Sequence, residues 1–594
     1  MKRHRSHKHR QSSAPPAGTV ATAIAPTAAA AAVVLACLFA LLLATQLVTS
    51  SDLGYHLAYG EQFLATGRPV DTNEFIYTLP QGPTAARAAP PGPGCWYDSQ
   101  GRYRFANANW LSQVGITVLY HLGGMAAMSL LATACVAVVL ATALPTLRRQ
   151  GIPWTAITAG VVLMALGAWG RFAPRPEIIG YPLIVAQLCL LLGAVERGKA
   201  LSIRAAVALV ALQLVLVNVH SYFLLGLAMT GAMLADQLLR MAWRRLRGQT
   251  APADWITGAN VKRLAWVLAT QSAACLVNPW TWRLAVLPVQ TVLFLNRHGI
   301  NATEFAGPRH PWSAIAEFTH TLGALSADGV SRSSFPIVGV LVLAGAACLA
   351  ALVRRRWGLA LILAGMGAVA LSMLRNVAVA SLLIVPAALV ALKPAADRTA
   401  RRGSGPARAR ATVLAALSLS ALSIWWGVEV VTNRFHEAWG SADRFGIGAS
   451  RLHMPLGAAG WLNEHRPTGR MWTDFNGSSN LHYFTHPHRS VPLLTNTWAY
   501  PPQVMLMVLD HLAGAPFDEV AQRYSIEIVA MGFGLTNEPL VRSLAGDERW
   551  RIVFLDPGGI IFLRAEGTNA ELARRFAISP QALGYGSSVT AAVP

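Results

Sequence analysis

The stretch AAAAAVVLACLFALLLATQLVTSSDLGYHLAYGEQF, residues 28–63, carries no charge until Asp52. At about 1.5 Å rise per residue, its apolar part from Ala28 to Val48 is long enough to cross the hydrocarbon of a bilayer as a helix. It is preceded by the basic run MKRHRSHKHR at residues 1–10 and a Ser/Pro/Ala stretch. A secretory signal peptide has the same order of parts, but its apolar region is shorter, roughly 7–15 residues. The stretch therefore reads as a retained anchor. Residues 1–27 then form a basic flexible tail in the cytoplasm, and Ser50 onward lies outside.

Further along, the chain alternates in the same manner. Apolar runs recur at roughly 124–146, 153–170, 178–195, 203–219, 223–240, 263–279, 334–353, 357–374, 377–393 and 411–431. Counting the anchor, they predict about eleven transmembrane helices. Of the 594 residues, 54% are hydrophobic and 13% charged, and the mean hydropathy is +0.41. A soluble protein carries roughly 25% charged residues, so the bilayer is the solvent these numbers imply. The net charge of +21 would suit nucleic-acid binding if it formed one patch. It is instead scattered over every second connection: Arg148–Arg149, Arg197 to Arg204, Arg240 to Arg247, Arg354 to Arg356 and Lys393 to Arg410. That pattern follows the positive-inside rule and makes nucleic acid an unsuitable partner. The partner it implies is the lipid bilayer.

The organisation that follows is a transmembrane module over 28–431 with two large external loops, 50–123 and 280–333. An extracytoplasmic α/β domain follows over 432–594. Within the first loop, NANWLSQVGITVLYHLGG has helical spacing and is expected to lie along the interface. In the tail, MPLGAAGWLNEHRP reads as a helix, and GRMWTDF and SVPLLTN as strands. FDEVAQRYSIEIVAMG reads as a helix into a strand. EPLVRSLAGDERWRIVFLDPGGIIFLR reads as a helix into a hairpin turned at Pro557-Gly558-Gly559. Five of the six cysteines fall in apolar runs, and none has zinc-site spacing.

Asp52 is the most informative polar residue. It stands where the chain leaves the first span, ahead of a helix carrying His56, Tyr59 and Glu61. A carboxylate there suits a general base or a cation ligand. Ser51 and Asp52 are also good helix-capping residues, which gives the acid a purely structural alternative.

The stretch DLGYHLAYGEQFLATGRPVDTNEFIYT resembles the start of the first external loop in GT-C superfamily membrane glycosyltransferases, in particular a bacterial subgroup of multi-pass proteins. NWLSQVGITVLYHLGG, RPEIIGYPL, NVHSYFLLG, NPWTWRLAVLP, GRMWTDFNGSSNLHYF and RWRIVFLDPGGIIFLR are similar to the same subgroup. The resemblance extends to protein O-mannosyltransferases and to the aminoarabinose transferases that modify lipid A. It implies a polytopic α-helical GT-C-like fold with a C-terminal extracytoplasmic α/β domain, in the bacterial inner membrane. It further implies a polyprenyl-phosphate-linked sugar as donor and an envelope glycan, lipid or protein as acceptor. Asp52 matches the acidic residue that acts early in that loop. Related enzymes often carry Asp-Glu at this place, whereas this chain has Asp52-Leu53, which leaves the requirement for a divalent metal open.

A sugar leaving a lipid-linked phosphate needs a base for the acceptor and cations for the departing phosphate. Arg suits the second task because its planar fork matches phosphate. Candidates near the outer ends of spans are Arg171, Arg175, His220, Arg283 and Arg375; snorkelling to the interface is the plainer explanation for most of them. His56, Glu61, Asp71, Asn109, Trp110 and Glu304 are candidates for contacting substrate, with loop solvation or an interfacial belt as their alternatives. Asp474, Asn476, Trp498 and Tyr500 form a polar-aromatic cluster that suits either a sugar or an α/β core. A transporter or flippase of a lipid-linked glycan, or a membrane scaffold, is the competing class. A transporter is expected to show internal repeats and mid-span charges. The sequence shows no repeat, and its acids are expected outside the spans.

Overall fold

The chain folds as a helical bundle with a mixed α/β region at one end. The computed structural model describes residues 17–80, 82, 89–195, 200–248, 258–298, 334–393, 405–497, 499–532 and 538–583.

The first helix, α1 (Ala17–Ala44), leads into an extended segment and then α2 (Leu53–Thr66). After a small hairpin, β1 (Cys95–Tyr97) with β2 (Tyr103–Phe105), the bundle resumes. Its helices are α3 (Trp110–Arg149), α4 (Trp154–Ala168), α5 (Pro176–Val195), α6 (Ile203–Val219), α7 (Phe223–Leu246) and α8 (Gly258–Ala274). Then follow α9 (Trp282–His298), α10 (Ser334–Val353), α11 (Trp357–Ser372), α12 (Val377–Leu392) and α13 (Pro406–Val431). Helices thus stand at every apolar run. Among the described residues, six are long and apolar enough to cross a membrane by length and composition, and three more are apolar but shorter. The count of eleven crossings remains an expectation.

Two features need comment. The stretch expected to lie along the interface is a helix of its own that ends at a kink, beyond which the next run continues within the 40 residues of α3. Gly124 turns the chain inside it, with φ 56° and ψ −146°, a conformation open to glycine and costly for other residues. The second, a departure from the expectation that acids lie outside the spans, is Asp236, a buried acid within α7. Arg240 lies 3.0 Å from it and the Gly358 N–H donates to it at 2.9 Å. A charge at such a position is tolerated because it is paired.

Elsewhere the bundle is joined by packing and by buried amides. Gln187, Gln213 and Gln271 bring α5, α6 and α8 together, and Gln213 also donates to the Phe223 carbonyl at 2.9 Å. Gly226 of α7 lies so close that a Cβ there would be 2.4 Å from the Gln187 and Gln213 side-chain oxygens. Small residues at such crossings allow helices to approach and share hydrogen bonds in an apolar surround.

The C-terminal region begins after α14 (Arg434–Ala438). It contains α15 (Leu456–His465), β3 (Arg470–Thr473), α16 (Phe475–Phe484), α17 (Pro502–Leu512), α18 (Asp518–Arg523) and β4 (Ile526–Gly532). It ends with α19 (Pro539–Gly546), β5 (Trp550–Asp556), β6 (Gly559–Arg564) and α20 (Ala570–Arg575). The strands form one sheet in the order β3-β4-β6-β5, with β3 and β4 parallel and the other pairs antiparallel. The expected hairpin is β5–β6. SVPLLTN is not a strand: it makes one isolated bridge, Ile76 to Val491, and its apolar side chains fill the core instead.

The core of this region is not its own. Tyr55, Tyr59, Val70, Ile76 and Phe105, all from the segment between α1 and α3, are packed in the same cluster as Trp472, Val529 and Phe562. Bridges Gln46–Phe445 and Val48–Ala449 add a second seam. What reads in sequence as a loop and a separate tail is one folded body.

Candidate functional site

The segment RFAPRPEIIG, residues 171–180, builds one wall of the site. Pro174 and Pro176 interrupt the helical ladder and restart it, because proline lacks an N–H and fits the first turn of a helix. The reversal between α4 and α5 therefore gathers Arg171, Arg175 and Glu177 at the bundle end nearest the sheet. Arg171 Nε donates to Glu177 Oε1 at 2.7 Å, and Glu177 is 4% exposed in the first turn of α5. A carboxylate is favoured at a helix N-terminus.

Asp52 faces this wall. It occupies the capping position of α2, but its side chain makes no capping hydrogen bond. Its carboxylate points instead to Arg175, whose Nε lies 3.2 Å from Oδ2, with side-chain exposures of 22% for Asp52 and 16% for Arg175. Arg175 Nε also donates to Ser50 Oγ at 3.4 Å. The capping alternative is thus not how this acid is used.

Two histidines complete the cluster. His56 lies one turn after Asp52 and is 1% exposed. Gln113 Nε2 lies 3.4 Å from His56 Nδ1, and Gln113 is held by the Asn107 amide at 2.8 Å. His220, between α6 and α7, accepts the Tyr222 N–H at Nδ1 and packs on the Tyr222 ring with centroids 4.2 Å apart. The charges of Glu177, Arg375 and Arg171 act on His220, and those of Arg175 and Glu177 on His56. Asp52 thus meets Arg175 and Arg171 meets Glu177, while His56 and His220 lie within the electrostatic reach of these charges and of Arg375. The sequence reading did not single out Glu177. Its signal was an acid directly after Arg-Pro at the start of an apolar run.

Burial is the main cause that pushes both histidines down, His56 well below its ordinary value and His220 to about 4. His482 in α16 is likewise pushed down to about 4 by burial. A histidine depressed in the folded state binds its proton less tightly than in the unfolded chain. Stability is therefore full above about pH 6.5 and is lost as pH falls below it, by about 1.4 kcal/mol per pH unit per group until the folded pKa is reached. The thermal midpoint of the purified protein is expected to hold from pH 8 to 7 and to fall between pH 6.5 and 5.5. His482→Gln should flatten that slope. A midpoint unchanged down to pH 5.5 in the unsubstituted protein would refute the assignment.

The remaining candidates are used differently. Glu61 receives the Tyr483 hydroxyl at 2.5 Å, with His121 Nε2 at 3.2 Å and His488 Nε2 at 3.6 Å. Burial opposes its charge, but Tyr483 and His121 outweigh that and hold its pKa below the usual carboxylate value. Asp71 is taken up by Arg104 at 2.8 Å, fixing the small hairpin. Asn109 precedes α3 and its carbonyl accepts from Ser112 Oγ at 2.7 Å. Trp110 Nε1 donates to Asn218 Oδ1 at 2.8 Å, joining α3 to α6. The Arg283 guanidinium lies over the rings of Trp96 at 4.3 Å and Trp282 at 5.0 Å. Asp474 caps α16 through the Gly477 N–H and also accepts the Gly532 N–H, both at 2.8 Å. Tyr500 is buried, with its hydroxyl on the Leu494 carbonyl. Asp474 and Tyr500 thus serve the α/β core. Glu304 and Trp498 lie outside the described residues.

Among the described residues, no three His, Cys, Asp or Glu side chains converge as ligands for a metal ion. Asp52 abuts a guanidinium, an environment that repels a cation. The residues described do not fit a resident divalent metal. Beside the polar cluster lies a small apolar cavity lined by Ala40, Cys135, Met164, Phe172, Tyr181 and Leu382. Tyr181 connects the two, since its ring stacks on Tyr222 with centroids 6.1 Å apart.

No family model matches this sequence, and no curated protein matches it either. Solved structures do. The Archaeoglobus fulgidus oligosaccharyltransferase tethered to an acceptor peptide containing the NVT sequon aligns at 12% identity and TM-score 0.51, over 91% of this chain and 74% of that one. The same enzyme in complex with Zn and sulfate aligns at 13% identity and TM-score 0.50, over 90% and 73%. ArnT from Cupriavidus metallidurans in the apo state aligns at 14% identity and TM-score 0.48, over 91% and 98%. At these identities the alignments speak to fold alone: this chain shares its fold with the archaeal oligosaccharyltransferase.

Proposed function

We propose that this protein transfers a sugar from a polyprenyl-phosphate-linked donor to an envelope glycan, lipid or protein, with inversion, on the extracytoplasmic face. The observation that carries the reading is the pairing of Asp52 with Arg175, in the same segment that sets the Arg171–Glu177 pair. A lipid-linked phosphate needs cations for its head, and Arg175 and Arg171 are the half-buried cations at this place.

Without donor, Arg175 neutralises Asp52. An arriving phosphate offers Arg175 a second anion, which its fork-shaped guanidinium can bind through two N–H groups. Asp52 is then released toward the acceptor. It takes the proton of the acceptor hydroxyl as that oxygen bonds to the anomeric carbon. The bond from that carbon to the phosphate oxygen breaks, and its electron pair stays on the phosphate, where Arg175, Arg171 and Arg375 offset the charge. Glu177 holds Arg171 in place for this task. His220, neutral at pH 7, offers a ring nitrogen for a hydrogen bond without a further charge.

The test uses purified protein in lipid vesicles with a radiolabelled sugar on polyprenyl phosphate. Label appearing in an acceptor supports transfer. Label crossing the bilayer still attached to its lipid supports the flippase alternative. Binding without either outcome supports a scaffold.

A further inference from the structure

The main chain around Asp52 is gripped from the far end of the polypeptide. Asn480, in α16, is 1% exposed. Its Oδ1 accepts the Gly54 N–H at 3.0 Å and its Nδ2 donates to the Ser50 carbonyl at 3.1 Å. One carboxamide therefore satisfies the residues two before and two after Asp52, using the acceptor and the donor that a single Asn end provides. Thr495 Oγ1 donates to the Ser51 carbonyl at 3.4 Å and is itself tied to Ser479 Oγ at 2.8 Å.

The approach is close enough to require glycine. A Cβ on Gly54 would lie 1.9 Å from the Ser479 carbonyl oxygen, so any side chain there would push α2 and α16 apart. The grip is anchored in turn. Asp474 at the start of α16 accepts the N–H of Gly532 at the end of β4, so the helix carrying Asn480 is fixed to the sheet. A continuous series of buried hydrogen bonds thus runs from the sheet through α16 to the backbone on both sides of Asp52, whose carboxylate meets Arg175.

We propose that Asn480 is a positioning residue: it sets the backbone of residues 50–54 so that the Asp52 carboxylate stands at Arg175 and the phosphate position. This rests on the reading of Asp52 as the base. It assigns the C-terminal α/β region a part in the chemistry that needs no contact with substrate. Displacing a reacting group by about 1 Å costs on the order of 100-fold in rate.

The experiment compares wild type, Asn480→Ala, Asn480→Asp and Asp52→Asn in the same vesicles. It reads sugar release from radiolabelled polyprenyl-phosphate donor, binding of polyprenyl phosphate alone, amide exchange at Gly54 and the thermal midpoint. Asn480→Ala should lower kcat by about 30- to 100-fold. It should leave the donor KM and polyprenyl phosphate binding within about threefold and speed exchange at Gly54. Asn480→Asp keeps the acceptor for the Gly54 N–H and should recover part of kcat. A wild-type kcat in Asn480→Ala with Asp52→Asn inactive would overturn the positioning role and leave the base intact. Loss of kcat, binding and thermal midpoint together, without recovery in Asn480→Asp, would reduce Asn480 to a folding contact. An active Asp52→Asn would overturn the base, and the positioning role with it.

Discussion

Asp52→Asn is expected to lower sugar transfer by about 10²- to 10⁴-fold, the range a positioned general base supplies. The substitution keeps the shape of the side chain and removes its charge and basicity. It also removes the anion that Arg175 faces at 3.2 Å. The guanidinium then no longer has to leave a carboxylate to meet a phosphate, so polyprenyl phosphate should bind the variant at least as tightly as wild type. The two readouts move in opposite directions, which a general loss of folding cannot produce. Full transfer activity in the purified variant would remove Asp52 from the chemistry.

The second large effect concerns Arg171 and is first a matter of stability. The Arg171–Glu177 pair is 2.7 Å long, with side-chain exposures of 17% and 6%. Arg171→Met leaves the Glu177 carboxylate buried without that partner, and breaking such a pair costs about 3–5 kcal/mol. A marked fall in the thermal midpoint of the detergent-solubilised protein is the expected result. Adding Glu177→Gln removes the stranded charge and should restore most of the loss. Phosphate binding should stay weak in both variants, because the guanidinium is gone from both. A midpoint unchanged in Arg171→Met would show that other charges carry Glu177.

The helices of the bundle were legible because bilayer solvation writes its demand locally, as apolar runs between basic connections. Asp52 and its cations were legible for a related reason: charges at the ends of apolar runs are conspicuous. Their convergence was not, since Arg171, His220 and Arg375 belong to different helix ends. Glu177 was missed because an acid at a helix start has an ordinary explanation in the helix dipole. Helix α16 was missed because FNGSSNLHYF is rich in residues that favour turns, and its Ser479 and Asn480 look like surface residues until the partner that buries them is known. SVPLLTN has strand composition, but the shared core uses its apolar side chains without pairing its backbone. The fused body of loop and tail depends on contacts too distant in sequence for any local pattern to encode.

That distance also has a consequence in time. Ser50 and the residue that holds it, Asn480, are 430 positions apart. At roughly 5–20 residues per second, a ribosome takes about 20–90 s to travel between them. During that interval the helices of the bundle are made one after another while Tyr55, Tyr59 and Phe105 wait without the surface that buries them. The Asp52 segment is made long before the helix that holds it, so this site is assembled only after the intervening helices have been synthesised.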